Sequence, residues 1–121
     1  DFITLHCPLS PETRNLISRR EFKMMKPTAY LINTARGGLL DEKDLLHSLS
    51  TDSIAGAGID VLQKEPPAKD SMLLQSQLPN LIVTPHIAWA SRESRQRLLD
   101  QIADNINNFF QNKPFNQVRI N

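Results

Sequence analysis

The chain has 121 residues, 40% of them hydrophobic and 22% charged, with a formal net charge of +1 at pH 7. That is the size and make-up of one globular domain with a real core. The near-neutral balance gives no basis for a nucleic-acid or anionic-lipid partner, and no apolar run reaches the roughly 18–20 residues needed to cross a membrane.

Cys7 is the single cysteine, so no internal disulfide forms and a reducing compartment, the cytoplasm, is expected. The chain opens at Asp1-Phe2-Ile3-Thr4-Leu5, without an initiator methionine or a basic leader. It starts at what reads as a buried strand, so a segment of a longer protein is expected.

In chain order, Phe2 to Leu5 is a short apolar strand stopped by His6-Cys7-Pro8, and Leu9 to Thr13 is a loop because its prolines cannot continue a ladder. Ser18 with Glu21 is a capping-box pattern that opens a brief helix, with Phe22 and Met25 on its apolar side and Pro27 at its end. Ala29 to Thr34 is a second strand. Arg36 follows it, and Gly37-Gly38 are expected to let the backbone turn sharply. Asp41 is an N-cap with Glu42 and Asp44 in the first turn, and Leu45, Leu46 and Leu49 fall at helical spacing over 42–50.

A third strand is predicted over 53–61, then a loop through Glu65-Pro66-Pro67 and a helical turn within 71–77. Leu81 to Thr84 is a fourth strand, ended by Pro85-His86. Ser91 caps the longest helix, whose Leu98, Leu99, Ile102, Ala103, Ile106, Phe109 and Phe110 form an apolar stripe, and Lys113-Pro114 ends it. The basic residues Arg19, Arg20, Lys23, Lys26, Arg92, Arg95 and Arg97 read as solvated helix faces.

Short apolar strands alternating with helices indicate an α/β fold with a parallel sheet covered on both faces. In such a sheet all strand carboxyl ends lie on one edge, where ligands bind. That edge should gather Cys7-Pro8, Thr34-Ala35-Arg36, Asp60 with Glu65, and His86. A histidine beside a carboxylate suits general acid–base work, and an arginine fork suits an anionic substrate.

Structural alternatives stand beside each assignment. Asp60 could cap the next turn, and Arg36 could pair with a surface acid. Glu65 could be an exposed loop carboxylate, and His86 a satisfied polar residue at a helix entrance. Cys7 reads as a small buried apolar residue, His6 and His47 as structural or solvated, and Trp89 as a packing residue. No pair has metal-ligand spacing, and no metal is expected.

Leu5-His6-Cys7-Pro8-Leu9, Asn33-Thr34-Ala35-Arg36-Gly37-Gly38, Gly58-Ile59-Asp60-Val61 with Glu65-Pro66-Pro67, and Pro85-His86-Ile87-Ala88-Trp89-Ala90 together resemble the D-isomer-specific 2-hydroxyacid dehydrogenases. Within that family the branch of glycerate dehydrogenase/hydroxypyruvate reductase and phosphoglycerate dehydrogenase is nearest. The resemblance implies the second half of a Rossmann-type doubly wound sheet of about four strands with a long C-terminal helix. Residues 1–112 would be the C-terminal half of an NAD-binding domain, and 113–121 a tail returning to a substrate domain.

The same resemblance implies His86 as the acid/base, Glu65 as its carboxylate partner and Arg36 as anchor of the substrate carboxylate. Asp60 would receive the nicotinamide carboxamide. Cys7, Pro8, Thr34, Ala35, Arg36 and the backbone of His86, Ile87 and Ala88 would line the nicotinamide–ribose half of NAD, with NADP not excluded. The substrate would be a small 2-oxo or D-2-hydroxy acid, and the whole protein a homodimer. The family's Gly-x-Gly-x-x-Gly turn and its ribose-binding acid are absent, so the chain alone is expected to bind NAD poorly and not to catalyse. Transcriptional corepressors sharing the fold and triad supply a rival, an NAD-sensing binding protein.

Overall fold

A computed structural model describes residues 1–118; Arg119, Ile120 and Asn121, the end of the expected tail, lie outside the described residues. Among the described residues, 1–88 and 89–118 form two compact units. The first contains strands β1 (Phe2–Leu5), β2 (Tyr30–Asn33), β3 (Gly56–Ile59) and β4 (Leu81–Val83), with helices α1 (Arg19–Met24), α2 (Glu42–Ser50) and α3 (Met72–Gln75) between them.

All neighbouring strands are parallel and the sheet order is β1-β2-β3-β4. The registers place Leu5, Asn33, Ile59 and Val83 in one row across the sheet. His6, Thr34, Asp60 and Thr84 therefore stand one step beyond that row, at the carboxyl edge.

Alternation along each strand sends Leu5, Leu31, Ala57 and Ile59 into one core with Phe22 of α1, Leu45 and Leu49 of α2 and Leu73 of α3. The opposite face carries Phe2, Tyr30 and Ile82, which are 74%, 44% and 67% exposed. Coverage of both faces is thus not met within these residues, and the topology explains why. Each crossover advances one strand in the same direction. Right-handed connections then place α1, α2 and α3 on the same side of the sheet. The connections from β1 to β4 therefore leave the other face without a helix.

Local chemistry sets the element ends. Asp41 accepts hydrogen bonds from Lys43 N–H at 2.9 Å and Asp44 N–H at 3.0 Å, so α2 begins where a capping acid predicts. Glu21 accepts from the Ser18 N–H and O–H at the start of α1. That helix stops at Met24, so Lys26 lies beyond it and pairs with Asp1 at 2.8 Å.

Strand β3 is shorter than the apolar run implied. Ile54 is fully buried in the core ahead of it, and Asp60 and Val61 are buried after it has ended. Where the backbone was expected to turn sharply after Arg36, a 3-10 turn runs over Gly37–Leu39.

The second unit holds α4 (Arg92–Phe110), capped by Ser91 Oγ accepting from Ser94 N–H at 3.1 Å. Its end comes before Lys113-Pro114: Asn112 adopts a left-handed φ of 56°, and Lys113 N–H bonds back to the Asn108 carbonyl. No residue of α4 is buried, and Leu98, Leu99, Ile102, Ile106, Phe109 and Phe110 are exposed.

Candidate active site

The β2 end is held by a buried amide. Asn33 Nδ2 donates to the Arg36 carbonyl at 2.9 Å and Asn33 Oδ1 accepts from Ala35 N–H at 3.1 Å. Both halves of the side chain are used, which fixes the Thr34–Arg36 turn. Asn33 was missed in the sequence; its only signal was a polar residue closing an apolar strand.

The backbone does turn at Gly37 and Gly38, but neither has a positive φ, so the turn itself does not require glycine. Their small size matters instead. A Cβ on Gly37 would lie 2.0 Å from the Leu62 carbonyl carbon, so the β2 turn sits directly on the loop after β3. Gln63 reinforces this contact: its N–H donates to Glu42 Oε1 at 3.0 Å and its Nε2 to the Leu40 carbonyl at 2.9 Å.

On that pinned loop, Leu62 N–H donates to Glu65 Oε1 at 2.8 Å, and Glu65 Oε2 meets His86 Nδ1 at 2.7 Å. The Leu62 N–H and the bond to His86, in that order, hold the Glu65 carboxyl below the usual carboxylate range. Glu65 is therefore ionised at neutral pH beside the imidazole. A cavity of about 330 Å³ opens beside the pair, walled by Leu62, Pro66, Pro67, Leu74 and Val83.

His86 has a left-handed φ of 55°, a conformation that costs a residue other than glycine on the order of 1 kcal/mol or more. Asp60 supports it. His86 N–H donates to the Asp60 carbonyl, Ile87 N–H to Asp60 Oδ1 and Ala88 N–H to Asp60 Oδ2, each at 2.9 Å, and Thr84 Oγ1 also donates to Oδ1. Burial pushes the Asp60 pKa up, but the Thr84, Ala88 and Ile87 hydrogen bonds and the nearby His86 outweigh it, and the net shift is downward.

A carboxylate with a depressed pKa stabilises the fold above its unfolded pKa, about 4, and loses that contribution as pH falls through the folded value. Asp60→Asn should therefore lower the urea midpoint at pH 7 and make the further loss below about pH 4 shallower than in the wild type.

Arg36 stands apart from this group. Its Nη1 donates to the Ala35 carbonyl at 2.7 Å, and the side chain lines a hollow of about 520 Å³ with His6, Cys7, Pro8, Leu9, Thr34 and Ala35. It makes no ion pair with any described acid. The structure thus joins Asp60, Glu65 and His86 through hydrogen bonds, while Arg36 is near by register but folded onto its own backbone. His6 is exposed and bonds Thr4 Oγ1 at 2.9 Å, and His47 is exposed. Cys7 is partly buried against the core and Trp89 is 55% exposed. Among the described residues no group of three or more His, Cys, Asp or Glu could hold a metal ion.

Residues 1–88 match the family pattern of the D-isomer specific 2-hydroxyacid dehydrogenase, NAD binding domain. The chain belongs to the D-isomer-specific 2-hydroxyacid dehydrogenase family. Glycerate dehydrogenase of Methylorubrum extorquens is 54% identical over 118 residues, covering 98% of this chain and 38% of that protein. Hydroxypyruvate reductase of Blautia hydrogenotrophica is 42% identical, covering 98% and 36%.

Among solved members of similar fold, an acyclic imino acid reductase in complex with NADPH and D-Arg superposes with a TM-score of 0.85 at 36% identity, covering 98% of this chain and 37% of that one. The NAD-complexed 2-hydroxyacid dehydrogenase of Lactobacillus delbrueckii ssp. bulgaricus gives 0.81 at 31% identity, covering 98% and 40%. The chain thus spans under two-fifths or about two-fifths of the length of these dehydrogenase relatives.

Proposed function

We propose that this segment is the C-terminal half of the NAD-binding domain of an enzyme that interconverts a 2-oxo acid and a D-2-hydroxy acid, of the hydroxypyruvate/glycerate kind. The observation that carries the reading is the Glu65–His86 pair at the carboxyl edge of a parallel sheet. Residues 1–112 would belong to that domain, with 113–121 as the tail, in a cytoplasmic homodimer.

The residues present fit the nicotinamide end of NAD. The hollow at the ends of β1 and β2 offers Cys7, Pro8, Thr34 and Ala35 as walls. Asp60 Oδ2 receives one N–H, from Ala88. A carboxylate oxygen has two lone pairs, so this one retains capacity for a carboxamide donor. The backbone of His86, Ile87 and Ala88 completes that side.

When bound, the nicotinamide supplies or accepts the hydride at its C4. The chain's own part is proton transfer and anchoring. In reduction, the imidazolium of His86 gives a proton to the substrate carbonyl oxygen. In oxidation, the neutral ring takes the proton from the hydroxyl. With Nδ1 turned to Glu65, which fixes the ring, Nε2 is the exchanging atom. Arg36 leaves the Ala35 carbonyl and places its fork on the substrate carboxylate, polarising the carbonyl beside it.

A protein of the relatives' length that carries this segment should consume NADH or NADPH when given hydroxypyruvate or glyoxylate. Arg36→Lys should raise KM for the acid about tenfold or more, because the bidentate geometry is lost. Cofactor binding without turnover would favour the corepressor-like reading, and neither binding nor turnover would remove both.

A further inference from the structure

The sequence reading gave no role to Thr84, and neither the acid–base pair nor the anchor uses it. It sits one step past β4, in the row that also holds Asp60, and its N–H extends the ladder to the Ile59 carbonyl at 2.9 Å. Its hydroxyl donates to Asp60 Oδ1, the oxygen that also takes Ile87 N–H. Oδ1 is then filled, and the carboxylate plane is set by three donors on two oxygens. Asp60 is only 4% exposed, so water cannot readily replace a lost donor.

The consequence reaches His86 through its backbone. Three successive N–H groups, of His86, Ile87 and Ala88, end on Asp60: the first on its carbonyl, the other two on its carboxylate. A left-handed residue that is not glycine persists only where its surroundings over-determine it. Here the His86 N–H is shared between the Asp60 carbonyl at 2.9 Å and the Thr84 carbonyl at 3.0 Å, and the Asp60 carboxylate, oriented by the Thr84 hydroxyl, takes the next two N–H groups.

We propose that Thr84 is a positioning residue for His86: its hydroxyl locks the Asp60 carboxylate, which clamps the 86–88 backbone and so aims the imidazole. The proposal deepens the acid–base reading of His86 and rests on it. It also explains why a threonine is useful at this step beyond β4. Valine has the same shape and strand preference but no donor.

Two variants separate the hydroxyl from the shape. In a protein of the relatives' length, Thr84→Val should lower kcat by about ten- to a hundredfold, the cost of misplacing a reacting group by a fraction of an ångström. KM for the acid should change less than about threefold, since Arg36 carries that binding. Thr84→Ser keeps the donor and should restore kcat to within about threefold of wild type.

Independently of activity, hydrogen exchange on the 121-residue chain should show the Ile87 and Ala88 amides exchanging at least about tenfold faster in Thr84→Val. The core amides of Leu45 and Leu49 serve as the internal control and should not change. Faster exchange at Ile87 and Ala88 alone supports the clamp. Unchanged exchange there, equal acceleration everywhere, or a Thr84→Ser variant as slow as Thr84→Val overturns it. If the unmodified protein turns over no 2-oxo acid, the acid–base reading fails while the exchange measurement still decides the clamp.

Discussion

Gly37→Ala is expected to lower the melting temperature of the chain by on the order of 10 °C, from an overpacking cost of about 3 kcal/mol. The added methyl would lie 2.0 Å from the Leu62 carbonyl carbon, 2.1 Å from its oxygen and 2.4 Å from Gln63 N. All three are backbone atoms, so no side-chain rotation relieves the overlap and the loop after β3 must move. That loop also carries Leu62 N–H, whose hydrogen bond holds Glu65. If the proposed function holds, the same substitution should cost kcat in a protein of the relatives' length that carries this segment, through the Glu65–His86 pair.

Gly58→Ala is the matched control, because no atom lies within 4 Å of the methyl it would add. With no positive-φ glycine in the chain, it should be neutral or slightly stabilising. Calorimetry of the two variants side by side checks the claim. Equal melting temperatures for both would mean that the close approach at Gly37 carries no weight.

These two glycines show where sequence reasoning reached and where it stopped. Gly37 was legible as part of a turn, but not the need for its small size. The actual cause, the backbone of Leu62, lies 25 residues further along and leaves no local trace. Helix α2 was legible to its ends because Asp41, the acidic first turn and the leucine spacing are all local signals. The carboxyl edge was legible too, since parallel pairing dictates that strand ends align.

What the sequence could not carry was the direction of side chains once there. Arg36 reaches the edge yet turns to the Ala35 carbonyl. Asn33, Gln63 and Thr84 hold the site through hydrogen bonds whose partners appear only in the fold; Gln63 reaches the Leu40 carbonyl across 23 residues and Thr84 reaches Asp60 across 24. The bare sheet face follows from crossover handedness, a global property that apolar strand composition alone does not reveal.

The larger functional effect belongs to His86. Removing a positioned acid–base group typically costs a factor of about 10²–10⁴ in turnover. His86→Ala should show this in kcat while leaving cofactor affinity within about threefold, because proton exchange and not binding is lost. The Asp60 clamp is built from backbone N–H groups of residues 86–88 and survives the substitution, so the variant should remain folded.

The most direct measurement is the steady-state rate of NADH oxidation with hydroxypyruvate by a protein of the relatives' length that carries this segment, as wild type and as His86→Ala. Cofactor affinity is read on the same preparations by NADH fluorescence. The account predicts turnover by the wild type, a fall of at least about a hundredfold in the variant, and nearly equal NADH binding. A variant that turns over like the wild type, or loses NADH binding in proportion to its rate, would contradict the assignment of proton exchange to His86.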